Sequence, residues 1–510
     1  MTAAAPATVT LTGHDLGPAG IAAIARDRAV VRIAPDARAR IEAAADAVAR
    51  AARRGRPVYG VTTGLGSRVT EHVDGDEAAA FSLRTLRGRA TAVGEPLSAE
   101  LTRAAVVVRL NGLCAGGAGA GPAVADGLAG LLNAGVHPRI PRSGSVGAAD
   151  LCLLAHVGLT LIGEGEAELG GEWLDSASAL AAAGLAPVAL GPKDGLAICS
   201  SSAVSVAAAA LALVDAQACL EAAQIAAALS MEGFRANLSP LDARVTAARP
   251  APGQEWAAAG LRALLAGSAL TAPGAARRLQ DPLSLRCASQ IHGALRWALD
   301  MLAAAIAPEL TGAADNPLVL AGDDEILSTG NFHVPALALA LDATAIALTQ
   351  VAATIAERQA RLKTERLSGL PANLAVRGAT RSGLAPLSKT ARALVLEIRH
   401  RAGPFAIHAT IGADGVEDDS TGAAQAALRV GEQLERMWPL VAIELLVAAQ
   451  AVDLAAPVRP AAATAAVHAA VRALVAPLDD DRALGADVER LAAALADGTV
   501  AAAAREATRP

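Results

Sequence analysis

Three short stretches of this chain carry residue types that could do chemistry together. The first holds Tyr59, the only tyrosine in 510 residues, within the turn-rich run from Gly55 to Gly66. Glycines at this density permit backbone geometries that other residues avoid. A phenol in such a loop can serve as a general base or acid if positive charge or helix N-termini lower its pKa; the alternative is a single surface aromatic. The second stretch is Gln280-Asp281-Pro282-Leu283-Ser284-Leu285-Arg286. An arginine one turn into a helix either binds a carboxylate as a bidentate fork or simply faces solvent. The third is Gly412-Ala413-Asp414-Gly415-Val416-Glu417-Asp418-Asp419-Ser420. Its four carboxylates repel one another unless they are solvated at a helix start or face a cation.

Other chemistries lack support. The nine histidines (His14, His72, His137, His156, His292, His333, His400, His408 and His468) form no H-E-x-x-H or H-x₃-H pattern, so no metal site is expected. No phosphate-binding G-x₄-G-K-[ST] loop and no G-x-S-x-G elbow occur. The five cysteines make no C-x-x-C pair and read as reduced, buried thiols of a cytosolic protein. Residues Met1 to Thr12 lack the basic region and apolar core of a secretory signal, which agrees with a cytoplasmic location. The net charge of −6, without a basic tract, leaves no footprint for nucleic acid or an anionic membrane.

The elements that must position these residues are helical. Apolar residues make up 53 % of the chain and charged ones 18 %, which excludes general disorder. Much of the apolar content is alanine and aromatics are 2 %, a composition that favours helix over strand. Helices are expected at Ile41–Arg53, Asp76–Arg89, Ser98–Leu113 and Pro122–Gly135. Longer ones are expected at Ser202–Met231, Ser284–Ile306, Pro335–Leu362, Ser388–Arg401 and Gly422–Leu454. A second glycine-rich turn, Gly144 to Asp150, ends on a carboxylate suited to a helix N-terminus. A mean hydropathy of +0.39 raises the question of a membrane. The strongest candidate span, Val334–Ala356, is interrupted by Asp342 and Gln350, which are costly in lipid, so a buried bundle helix is expected there. The texture divides the chain into an N-terminal domain at 1–200 with both glycine-rich loops, a long helical bundle at 201–460, and a small helical piece at 461–510.

In order along the chain, these segments resemble the aromatic amino acid ammonia-lyases, a family that includes histidine and phenylalanine ammonia-lyases. The similar pieces are YGVTTGLG at Tyr59, VGEPLS at Val93, PRIPRSGSVGA ending at Ala148 and LAHVGLTLIGEG ending at Gly165. They continue with KDGLA at Lys193, SPLDAR at Ser239, QDPLSLR at Gln280, DNPLV at Asp315, GNFH at Gly330 and VED at Val416. The resemblance implies a mostly α, ammonia-lyase/fumarase-like fold and a homotetramer whose active sites are shared between subunits. It also implies elimination of ammonia from an α-amino acid, driven by a methylidene-imidazolone electrophile made from an Ala-Ser-Gly triad. Asn316 and Phe332, within the DNPLV and GNFH pieces, are implied substrate contacts.

Several positions depart from the family pattern. The triad turn here reads Gly147-Ala148-Ala149-Asp150-Leu151, one residue short and without a serine to dehydrate, so no ring and no cofactor are expected. Arg89 replaces a pocket histidine, Ser200 an active-site asparagine and Leu283 a tyrosine, while Lys389 stands where the ammonia-lyases usually have no lysine. Without the electrophile, a better leaving group than ammonia is required. The branch represented by ergothionase, which eliminates trimethylamine, is a precedent for that chemistry. The expected activity is therefore β-elimination of an amine, trimethylamine, from a histidine-betaine-like small molecule to give a urocanate-like acid. In this reading Tyr59 removes the β-proton, Arg286 holds the carboxylate, and Glu417, adjusted by Lys389, faces the ammonium. Arg89 contacts the ring side chain. The alternatives are a non-catalytic relative kept for binding and an ammonia-lyase-type elimination on another substrate.

Overall fold

The computed structural model describes residues 7–54, 57–74, 77–375, 380–408, 416–455 and 459–508. Asp76, at the start of one expected helix, and Gly412–Gly415 of the acidic stretch lie outside the described residues, as do Gly55 and Arg56 of the tyrosine loop. The chain is mostly helical, and the described residues form four small sheets of two or three strands. It clusters into two compact units built from interleaved segments. One comprises residues 1–214, 302–342 and 404–428; the other comprises 215–301, 343–403 and 429–510.

The first unit holds the tyrosine loop. The Pro35–Arg54 helix begins six residues earlier than the alanine pattern suggests, because Pro35 is preorganised for a first helical turn. Its buried face, Ala44, Ala47 and Val48, packs with Val61 and Val319. That apolar contact anchors the loop two residues beyond Tyr59. Two parallel strands, Thr8–Leu11 and Val30–Ile33, and the antiparallel pair Leu318–Leu320 and Glu325–Leu327 are not foreshadowed in the sequence. They are three or four residues long, too short for a period-two pattern to stand out.

Among the described residues, three helical stretches are long and apolar enough to cross a membrane by length and composition: Asp194–Phe234, which is the two helices Asp194–Cys199 and Ala203–Phe234 in succession, Pro335–Leu362 and Ala423–Leu454. Their most apolar windows are 94 %, 61 % and 72 % buried within the protein. Asp342, which interrupts the second, accepts hydrogen bonds from the backbone N–H groups of Phe405 (2.9 Å) and Ala406 (2.8 Å). A helix apolar on all sides belongs in a core of this kind. The five cysteines are all unpaired thiols. Cys114, Cys199 and Cys219 are buried, whereas Cys152 and Cys287 are only half-buried.

In the second unit, the helix expected over Ser284–Ile306 is two helices, Leu283–Arg286 and Ala288–Thr311. The carbonyl of Ser284 accepts from Arg358 Nη1 at 3.2 Å instead of continuing the helical ladder. Arg358 is fully buried and forks onto Glu444, Nε to Oε1 at 2.6 Å and Nη2 to Oε2 at 2.9 Å. Ser230 donates to the same carboxylate at 2.9 Å.

Candidate active site

A cavity of about 380 Å³ opens within the first unit. Eight of the residues selected from the sequence line it: Tyr59, Arg89, Ala148, Ala149, Ser200, Asn316, Phe332 and Glu417. Leu65, Gly66, Ser67, Leu151, Leu196, Thr329 and Val416 complete the lining. The sequence reading did not single out these seven, which are mainly apolar or backbone contributors without a chemical signature. Arg286, Leu283 and Lys389 belong to the second unit and are not among the lining residues. Arg286 hydrogen-bonds Gln280, Leu283 is 60 % exposed, and Lys389 is exposed on the Leu387–His400 helix.

Tyr59 is set by a tight turn. The carbonyl of Val58 accepts from the N–H groups of Val61, Thr62 and Thr63 at 3.0–3.2 Å, and Thr62 Oγ1 accepts from Val58 N at 2.8 Å. Gly64 must be glycine here, because a Cβ would sit 2.5 Å from the carbonyl oxygen of Arg68. The turn brings the N–H of Gly66 within 3.0 Å of Tyr59 Oη, to which it donates. That bond holds the phenol oxygen at the cavity lining.

The Ala148–Ala149 turn is gripped from both sides. Gly147 has φ +88°, and a Cβ on it would lie 2.6 Å from Gly422 N. Thr421 Oγ1 donates to Gly147 O at 2.9 Å, Gly422 N donates to Val146 O at 2.9 Å, and Gln425 Nε2 donates to Ser145 O. Ala149 itself adopts φ +62°, an uncommon conformation for a side chain with a Cβ. The turn presents methyl groups and backbone, with no side-chain hydroxyl at either position.

Asp150 does precede a helix, Leu151–Leu161, but its carboxylate makes no cap there. It is fully buried and reaches a different helix start, accepting from Ser205 N at 2.8 Å and Ser205 Oγ at 3.0 Å, with Ser145 Oγ donating at 2.7 Å. Burial pushes its carboxyl above the usual range, opposed by these hydrogen bonds. A carboxylate thus meets a helix N-terminus as expected, that of Ala203–Phe234 rather than its own.

The opposite wall rests on buried charge. Arg109, 1 % exposed, bonds Asp315 at 2.7 Å and also donates to the carbonyl of Ala197. It thereby ties the Asp194–Cys199 helix, which ends at Ser200, to the segment bearing Asn316. Ser200 Oγ is 3.4 Å from both N and O of Asn316. Asn316 Oδ1 accepts from Thr329 N at 3.0 Å, which orients its amide. Lys193 lies behind this wall, fully buried, and burial lowers its amine to about 8.

Residues 16–473 match the aromatic amino acid lyase family. The chain belongs to this family. A histidine ammonia-lyase from Symbiobacterium thermophilum is 40 % identical to this lyase over 491 residues, 96 % of this chain and 97 % of that protein. The crystal structure of ergothionase from Treponema denticola, in complex with desmethyl-ergothioneine sulfonic acid, superposes with a TM-score of 0.91 at 29 % identity, covering 97 % of this chain and 99 % of that one. Tyrosine aminomutase from Streptomyces globisporus superposes at 0.92 with 32 % identity, over 98 % of each chain. The fold is thus the ammonia-lyase fold, and the lyase is a carbon–nitrogen lyase of the ammonia-lyase type.

Proposed function

We propose that this lyase eliminates trimethylamine from a histidine-betaine-like substrate, giving a urocanate-like α,β-unsaturated acid, and that it does so without an internal electrophile. The observation that carries this reading is the composition of the turn at the cavity, Gly147-Ala148-Ala149-Asp150. The family's ring requires dehydration of a serine, and neither alanine has a hydroxyl to lose. The residues present do not fit that group.

The remaining chemistry is an elimination that the side chains support directly. Tyr59 Oη takes the β-proton, and the hydrogen bond it accepts from the Gly66 N–H holds that oxygen in place. The C–H electron pair becomes the new C=C bond, and the C–N pair leaves with nitrogen as neutral trimethylamine. A quaternary ammonium has no N–H proton to lose, so it stays in its leaving form at every pH. Glu417 faces that cation. Among the described residues of the lining, Tyr59 and Phe332 are the only aromatics, too few for an aromatic cage, so a carboxylate is the apt partner. Arg89, Ser200, Asn316 and Phe332 contact the rest of the substrate.

Arg286 clamps the substrate carboxylate in this proposal. The chain would act as a homotetramer with shared active sites, a neighbouring subunit supplying Arg286 and Leu283, and Lys389 adjusting Glu417. We further place it in the cytoplasm, with no nucleic-acid or membrane partner. The 40 % identity to a histidine ammonia-lyase favours a second reading, elimination of ammonia from histidine itself.

An ultraviolet assay with histidine, its trimethyl betaine and ergothioneine in parallel separates the two. Product is followed as the conjugated acrylate and confirmed by the amine released. Turnover of a betaine but not of histidine is the expected result. Turnover of histidine would overturn the electrophile-free mechanism, and silence on all three would leave a binding role as the better account.

A further inference from the structure

Three walls of the cavity converge on a side chain that does not itself line it. His333 follows Phe332, and its backbone pairs with that of Ala148. Its ring meets the Phe332 ring edge-on, centroids 6.4 Å apart and planes at 77°. Its Nε2 lies 3.0 Å from Oδ2 of Asp419. Phe332 has a further anchor, Ser202 Oγ donating to its carbonyl at 2.7 Å, and Thr421, two residues past Asp419, holds the carbonyl of Gly147.

The third wall is different. Val416 and Glu417 line the cavity yet are exposed. Among the described residues, the stretch from Val416 to Asp419 makes one side-chain hydrogen bond to another wall, that of Asp419 with His333. Asp419 is two residues past Glu417, so a shift of one carries the other. We propose that His333 is a positioning residue, which through Asp419 sets where the Glu417 carboxylate meets the substrate's ammonium. The proposal rests on the reading that Glu417 faces that cation.

Side-chain exposure of 25 % for His333 and 66 % for Asp419 makes this a pair of little consequence for global stability. Its effect is local, and that separates it from a merely structural contact. In the full-length protein, hydrogen exchange at the amides of residues 416–420 should quicken several-fold in His333→Ala and in Asp419→Ala, with the melting temperature unchanged. His333→Gln, which keeps a side-chain donor, should restore slow exchange.

In turnover of the betaine, His333→Ala should raise KM roughly tenfold, the scale of one lost charge-assisted contact, with kcat little changed. Glu417→Gln should raise KM as well, and the double variant should add little to it, because both act through one contact. Unchanged exchange in both alanine variants overturns the tether whatever the substrate. Faster exchange combined with a fully active Glu417→Gln variant overturns instead the reading of Glu417 on which the proposal rests.

Discussion

In the proposed mechanism Tyr59 is the base, and its oxygen is held by a backbone amide of its own loop. The Gly66 N–H that reaches it is delivered by the loop's own geometry, so the proposed base and its donor lie in one short segment. Removing only the hydroxyl should therefore leave the cavity intact and stop the chemistry. Tyr59→Phe is expected to lower kcat by about 10²–10⁴ while equilibrium dialysis shows unaltered affinity for the unsaturated acid product. A variant that retains wild-type turnover would remove Tyr59 from the mechanism. Arg109 shows the opposite case, a residue whose charge is used up inside the protein. Its Nη2 is taken by Asp315 and by Ala197 O while its buried Nε has no partner, and its contribution to the site is the wall it holds in register.

At the scale of the element, the interruption at Cys287 links the QDPLSLR segment to the core of the second unit. The Ser284 carbonyl is taken by Arg358, which is paired to Glu444 between the Pro335–Leu362 and Ala423–Leu454 helices. Both members of the pair are fully buried, so loss of one leaves an uncompensated charge. Glu444→Gln is expected to destabilise the protein by about 3–5 kcal/mol. The double change Arg358→Met with Glu444→Leu should be far milder, because it removes both charges at similar volume. Denaturant melts of the two variants check this; equal losses would mean that the pair matters by shape alone.

For the molecule as a whole, a buried histidine is expected to contribute to its sensitivity to acid. His292 is 0 % exposed, and burial, with the nearby Arg358, lowers its imidazole to about 3. The unfolded chain takes up this proton near 6.5 and the folded one only near 3. Between those values the unfolded state binds more protons, so stability falls as the pH drops through that window and is fully present above 6.5. His292→Leu should flatten the pH dependence of the denaturation midpoint between pH 6.5 and 4. An unchanged slope would assign acid sensitivity to other groups.

The sequence by itself determined the family, the helical class and eight side chains of one cavity. It could do so because many short motifs stand in one order along the chain, and alanine-rich texture reports helix directly. Tyr59 and Glu417 were legible as unusual groups in unusual surroundings. Asn316 and Phe332 were legible only within a family pattern. What the tertiary structure alone decided depends on distance between segments far apart in the chain. Asp150 turning from its own helix to cap Ala203–Phe234 is one example. Arg358 interrupting a helical ladder that local periodicity predicts as continuous is another. His333 reaching Asp419, 86 residues away, is a third, because a lone histidine carries no local signal of its partner. The physical reason is the same in each case. Propensity and pattern act within a few residues, whereas the pairing of a buried or bridging polar group is settled by which opposing group the packed chain brings within hydrogen-bonding reach.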